Sequence, residues 1–242
     1  MSCRINRGQE WGIRLMHELS YHESSIFLTL TYNDDHVPKD WGLRPSHLQL
    51  FFKRLRAEGL AFKYYACGEY GEEFRRPHYH AIVFGLGKKD EDLIGECWGL
   101  GFVSVGYVSQ QSINYVTSYV NKKLYGKLAK DHYGKLIAPF ARMSKGLGLS
   151  WLKENEDQVL LHQGVRQRGK TVRAPRYYFK HLDAIEVEMA NALTLLKADE
   201  KASRRALLGI EGVSVTQRVI ESRAQVEADL KAKQGMEKRG NL

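Results

Sequence analysis

Two histidines separated by one residue, His78-Tyr79-His80, open the apolar run HYHAIVF that ends at Phe84. Side chains two apart on a strand point to the same face, so both imidazoles converge. Two imidazoles are most of a metal site, and Glu69, in Cys67-Gly68-Glu69-Tyr70-Gly71, is the obvious third ligand. A hairpin through the polar loop from Gly71 to Pro77 brings it alongside the histidines, although Glu72 and Glu73 lie in the same loop. Imidazole and carboxylate ligands with open positions suit Mg²⁺, Mn²⁺ or Zn²⁺ acting as a Lewis acid on a phosphate. With 9 His in 242 residues, chance alone supplies roughly 0.3 His-x-His motifs, so the motif needs company.

The company is Tyr115-x-x-x-Tyr119-x-x-Lys122-Lys123. At helical spacing both phenols share one face, with the lysines a turn further on. A phenol is a poor nucleophile at neutral pH and needs an activated phosphate or a nearby cation to react. Lysines beside it hold the phosphate's oxygens as charge grows.

These groups need strands and helices to position them. Ser25–Tyr32 (SIFLTLTY) is β-rich and ends at the turn-like Asn33-Asp34-Asp35. Pro45 opens a helix whose Leu48, Phe51, Phe52 and Leu55 recur at helical spacing until Gly59. Phe62 to Gly68, His78 to Phe84 and Gly101 to Val108 read as further strands. Asp90 to Trp98 and Ser112 to Leu124 read as helices. Strands and helices mix with short loops, which predicts an α+β sandwich with a central antiparallel sheet rather than a doubly wound parallel one. Between Gly126 and Leu182 no clear period emerges.

Composition narrows the function classes. The chain carries 37 Lys+Arg against 28 Asp+Glu, for a net charge of +9, which favours a polyanionic partner. All 26 aromatics and all 5 prolines precede residue 183. From Asp183 to Leu242 the sequence holds 10 basic and 10 acidic residues, so the whole excess charge lies upstream. This break divides the chain into a basic aromatic domain, 1–182, and a helical extension, 183–242. In the extension Ile185, Met189, Ala192 and Leu196 form one apolar stripe, and Val215, Val219, Val226 and Leu230 another. Cys3, Cys67 and Cys97 are an odd number without a Cys-x-x-Cys pair, which excludes a disulfide scaffold or thiolate zinc site. No run approaches the roughly 18–20 apolar residues of a membrane span, and Met1 to Gly12 lacks the apolar core of a secretory signal. A reducing cytoplasm is the expected setting.

Gly164-Val165-Arg166-Gln167-Arg168-Gly169-Lys170-Thr171 fits the Walker A pattern letter for letter. A P-loop must open a helix, and Pro175 forbids continuing one from Lys170, so the match reads as accidental. Positive charge is its better reading. Lys123, Arg166, Arg168, Lys170, Arg173 and Arg176, with Tyr177, Tyr178 and Phe179 beside the last, suggest a surface for phosphates and stacked bases.

The ordered set of a Leu-Thr-Leu-Thr strand, His-x-His and Tyr-x-x-x-Tyr-x-x-Lys resembles the HUH endonucleases that initiate rolling-circle replication. Phe27 to Pro38 (FLTLTYNDDHVP), Leu48 to Arg56 (LQLFFKRLR), Ala66 to Gly71 and Arg76 to Ile82 resemble the replication initiators of gokushovirus-type microviruses, small single-stranded DNA phages. Arg142-Met143-Ser144-Lys145 and Pro175-Arg176-Tyr177-Tyr178 extend the likeness to about Leu182. The resemblance implies the HUH two-layer sandwich and a nick-and-join enzyme acting on a single-stranded origin. A tyrosine attacks a phosphate, leaving a 5′-phosphotyrosine and a free 3′-OH. It assigns His78 and His80 to a Mg²⁺ or Mn²⁺ ion, with Glu69 the choice for third ligand on strand geometry over Glu72 and Glu73 in the same loop. Tyr119 ranks first and Tyr115 second as nucleophile, because Tyr119 has Lys122 three residues on. It also implies a host bacterial cytoplasm, with host helicase and polymerase as partners. A transposase or plasmid relaxase of the same chemistry, or a non-catalytic binder with a structural metal, are the rivals.

Overall fold

The computed structural model describes residues 2–183, apart from 72, 123–125 and 168, together with Val187, Thr194 and Ala198; the side chains of residues 2–5, 119–122, 126, 127 and 130 are outside that description. The elements run α1 (Ser2–Leu19), β1 (Ser25–Tyr32), α2 (Pro45–Ala57), β2 (Lys63–Tyr70), β3 (Pro77–Phe84), α3 (Glu91–Trp98), β4 (Gly101–Tyr107) and α4 (Gln110–Lys122). They continue with α5 (Gly126–Tyr133), β5 (Phe140–Met143), α6 (Leu149–Glu154), α7 (Glu156–His162), β6 (Gly164–Gln167), β7 (Lys170–Arg173) and α8 (Arg176–Phe179). The two apolar stripes read beyond Asp183 lie outside the described residues.

β1 through β5 form one antiparallel sheet in the order β4-β1-β3-β2-β5. The chain is therefore α+β with a central antiparallel sheet flanked by helices. Strict alternation decides which residue faces where. In β1, Ile26, Leu28, Leu30 and Tyr32 are buried, while Phe27, Thr29 and Thr31 between them are half-buried. The buried set packs under α2 and α3, against Phe51, Phe52, Ile94 and Trp98. Buried phenols there are satisfied: Tyr32 and Tyr79 hydroxyls lie 2.7 Å apart, and the Tyr79 hydroxyl accepts from the Arg44 amide at 2.9 Å. The opposite face carries Tyr65, Cys67, Ile82 and Phe84, covered by Leu15 of α1 and by Ile113 and Val116 of α4.

The layers therefore number three rather than the two expected. Six residues of β3, from Tyr79 to Phe84, are buried in succession, so apolar side chains leave both faces and each face needs helices over it. β4 begins at Gly101, φ 151°, where an added Cβ would lie 2.3 Å from the Asn33 amide nitrogen. Only glycine allows the two backbones to approach that closely.

A third cluster joins α1 to the C-terminal elements through Ile13, Leu152, Val159, Val165, Tyr178 and Leu182. Arg14 lies between the rings of Trp11 and Tyr177, 3.9 and 3.5 Å from their centroids, and donates from Nε to the Leu147 carbonyl at 3.1 Å. Burial pulls its guanidinium down to about 10. Glu18, also buried, accepts from the Gly148 amide at 2.7 Å and pairs with Lys63 at 2.7 Å and His22 at 2.8 Å.

The Walker-like segment is the β6–β7 hairpin, with Lys170 opening a strand rather than a helix. That is incompatible with a P-loop. The aromatic half of the expected basic surface is corrected too. Tyr178 is fully buried and hydrogen-bonds His17 Nδ1 at 2.8 Å, Tyr177 stacks on Arg14, and Phe179 packs into the third cluster. Tyr178 is therefore core and not available to stack on a base, while Tyr177 and Phe179 are half-buried and packed against the same lobe.

Candidate active site

β2 and β3 are joined by a tight hairpin in which the Gly71 amide donates to the Arg76 carbonyl at 3.0 Å. The register places Glu69 directly opposite His78 and Cys67 opposite His80. Antiparallel partners share a face, so Glu69, His78 and His80 meet. His78 Nε2 lies 2.8 Å and His80 Nε2 2.9 Å from the same oxygen, Oε1 of Glu69. Among the described residues this is the cluster whose donor atoms fit a metal ion, all within 4.8 Å of one another. Glu73 is exposed in the loop, and Glu72 lies outside the described residues.

The outer contacts orient the rings. His78 Nδ1 faces the Arg76 carbonyl at 3.0 Å. A carbonyl only accepts, so Nδ1 carries hydrogen and Nε2 is left to meet the carboxylate. A lone pair facing a carboxylate calls for a cation between them, whether a second proton or a metal. Burial is the largest single influence on the His78 imidazole and depresses it, but hydrogen bonds to Glu69 and the Arg76 carbonyl, with the charge of Glu69, together outweigh that and raise it above its ordinary value. Burial likewise opposes charge on Glu69, yet hydrogen bonds from both histidines prevail and hold its carboxyl below the usual range. His80 Nδ1 lies 3.0 Å from the Thr29 hydroxyl, in the neighbouring strand β1. Such partners fix a ligand's tautomer and ring plane. The donor set, two imidazole nitrogens and a carboxylate with oriented rings, fits a divalent cation.

α4 crosses this face and supplies the phenol. The Tyr115 hydroxyl donates to Glu69 Oε1 at 3.3 Å and lies 3.4 Å from His80 Nε2, its ring edge-on to His80 with centroids 5.0 Å apart. The residue is 43% exposed, so its reactive end is reachable from solvent. Tyr119 and Lys122 follow on the same helix, but their side chains, like Lys123 as a whole, lie outside the described residues.

The chain compares with known proteins over this region. Residues 25–124, from the first residue of β1 to just past α4, match the family of replication-associated proteins of the ORF2 type. Replication-associated protein ORF2 of Spiroplasma virus 4 is 29% identical over 88% of this chain and 75% of its own length. Replication-associated protein VP4 of Bdellovibrio phage phiMH2K is 31% identical over 73% of this chain and 63% of its own. Replication-associated protein ORF4 of Chlamydia phage 1 is 32% identical over 73% and 50%. The chain belongs with the phage replication-associated proteins. Its matched segment holds the triad and both tyrosines. The chain spans three quarters of the first of these relatives and half of the third. No solved structure matches.

Of the expected basic residues, Arg166, Lys170, Arg173 and Arg176 are exposed on the β6–β7 hairpin and α8, and Arg168 is outside the described residues. No described helix is long and apolar enough to cross a membrane. Two features escaped the sequence reading. One is the role of Thr29 and Thr31, whose alternation is visible as Leu-Thr-Leu-Thr but not as the polar face shared with His80 and His78. The other is Phe102, 69% exposed on β4 and aligned through Thr31 with His78 in adjacent strands.

Proposed function

We propose that this replication-associated protein is an HUH-type nicking and joining enzyme that starts and ends rolling-circle replication at a single-stranded origin. The observation that carries the reading is the Tyr115 hydroxyl, 3.3 Å from Glu69 and 3.4 Å from His80. Packing of the Tyr115 ring against Phe27 and His80 does not require its hydroxyl to meet a buried carboxylate, whereas a nucleophile must sit beside the groups that hold its phosphate. His78, His80 and Glu69 would hold Mg²⁺ or Mn²⁺, which supplies Lewis-acid polarisation of the scissile phosphate when bound. The phenol oxygen bonds to phosphorus, the P–O3′ bond breaks, and the phenol's proton ends on the departing 3′ oxygen. The products are a 5′-phosphotyrosine and a 3′-OH for the host polymerase to extend.

Lysine spacing favours Tyr119, whereas the Tyr115 hydroxyl beside Glu69 and His80 supports giving Tyr115 the first attack, the order adopted in this reading. Tyr119, one turn on, then cuts the regenerated origin while the first adduct still holds the old end, with Lys122 offsetting the phosphate's charge. The strand reaches the triad over the part of this sheet face that the helices leave open, where Thr29, Thr31, Ser104 and Phe102 are half-buried or exposed. Phe102 offers a ring for a base to stack on. Residues 1–182 form the nicking domain and 183–242 an extension that the chemistry does not need. A host helicase opens the duplex, in the host bacterial cytoplasm. The test uses end-labelled single-stranded oligonucleotides tiling the replicon that carries the gene, with Mg²⁺ or Mn²⁺. An adduct that survives SDS at one position is expected. Binding without any adduct would leave only a nucleic-acid binder with a structural metal.

A further inference from the structure

Between α1, the start of α4 and the β6–β7 hairpin lies a groove of about 370 Å³. That volume is within the range of sites that hold small ligands. Its lining includes five carboxamides from three separate parts of the chain: Asn6 and Gln9, Gln110 and Asn114, and Gln167. Arg173 and Arg176 add positive charge, with Glu10 3.9 Å from the Arg176 guanidinium, and small or apolar residues such as Ile13 and Val172 make up the rest. We propose that this groove reads base identity in the single-stranded DNA delivered to the triad, a role that takes its substrate from the nicking reading.

The lining chemistry decides between a base and a bare phosphate. A phosphate track is made of lysines, arginines and amide groups that give position without sequence. A carboxamide instead places a donor and an acceptor side by side, the complement of an adenine edge, and a guanidinium offers the paired donors that guanine O6 and N7 accept. Unstacked single strands expose those edges fully. Gln110 Nε2 donates to Asn114 Oδ1 at 3.0 Å. That bond fixes the orientation of both amides, with the Asn114 amide hydrogens and the Gln110 carbonyl oxygen remaining as donor and acceptor for a ligand.

Position links the groove to the chemistry. Asn114 immediately precedes Tyr115 on α4, and successive residues turn by about 100° on a helix. One face of α4 thus presents its phenol to the triad, while the adjoining face presents its carboxamides to the groove. A strand crossing α4 meets both. Sequence choice and bond breaking are then separate functions on neighbouring faces of one helix.

The test binds the full chain to a pool of fluorescein-labelled single-stranded 30-mers with randomised central positions, and sequences the bound fraction. The wild type should enrich defined bases, and the Asn114→Ala, Gln167→Ala double variant should lose about tenfold of that preference at one or two positions. Its affinity for an oligo-dT 30-mer should stay within about twofold, which also shows that it is folded. Gln110→Glu, at an exposed helical position, keeps an acceptor but loses the donor and should shift the enriched base even if the double variant misfolds. The same enrichment in the variants as in the wild type, or none in the wild type, overturns the proposal. Failure of the nicking reading looks different: His80→Ala should enrich the same bases without cutting. A wild type that selects bases yet forms no adduct would refute nicking and spare the groove.

Discussion

The two faces of the sheet are built from the same strands and do opposite work. Under α2 and α3, every residue from β1 and β3 is apolar or a hydrogen-bonded phenol, and Tyr32, Tyr79 and Trp98 are all but inaccessible. One residue along in either direction, Thr29, Thr31, His78 and His80 face the other way, beneath helices that cover that side only in part. A period of two residues is thus enough to separate stability from chemistry. One face is closed along its whole length, and the other is closed over Tyr65, Cys67, Ile82 and Phe84 but leaves its polar end open.

The sharpest way to break this comparison is His80→Ala. It should lower cleavage by about 10³-fold or more, since metal-assisted phosphate chemistry loses a ligand, while thermal unfolding moves little. Cleavage near the wild-type rate in Mn²⁺, measured in single turnover, would contradict the metal site. The matching change on the closed face, Trp98→Ala, should cost about 3–5 kcal/mol in denaturant unfolding and leave the adduct at the same position in whatever protein stays folded. A cost below about 1 kcal/mol would mean that face is not the core.

Acid should single out the lobe that joins α1 to α8. His17 stacks on Trp151 with centroids 3.6 Å apart, and burial lowers its imidazole to about 4 from 6.5. The folded state therefore resists a proton that the unfolded chain accepts below pH 6.5. Stability is full above that value and falls as pH drops towards 4, by about 2 kcal/mol at pH 5 from this group. His17→Gln should flatten that slope in urea melts between pH 7 and 5, and an unchanged slope would assign the acid sensitivity elsewhere. The smallest effect sharpens the open face: Phe102→Ala should weaken oligo-dT binding by about 5-fold without altering stability. No change in affinity would place the strand's path away from β4.

How much of this was legible follows from how local each signal is. β1 has the bounds read from SIFLTLTY, and Glu69, His78 and His80 were legible because a hairpin is short and its alternation strict. α1 was not legible. Its buried Arg14 and Glu18 are satisfied by Leu147 and Gly148, more than 100 residues away, and no local pattern announces such partners. The same holds for Tyr177 and Tyr178: beside arginines they resemble an exposed binding surface until α1 is known to cover them. The meeting of Tyr115 with the triad needed coordinates as well. Lysine spacing is a property of the helix alone, whereas the distance to Glu69 depends on where α4 crosses the sheet.

Everything proposed for the site turns on a phenol of α4, set against the triad, taking the DNA phosphate. Trapping the adduct on a cleaved single strand, digesting the protein and locating the nucleotide by fragmentation tests this directly. Nucleotide is expected on Tyr115, in the wild type and equally in Tyr119→Phe. Nucleotide on Tyr119 alone would contradict the assignment made from the Tyr115 distances, and a cut strand with nucleotide on neither tyrosine would contradict the mechanism itself.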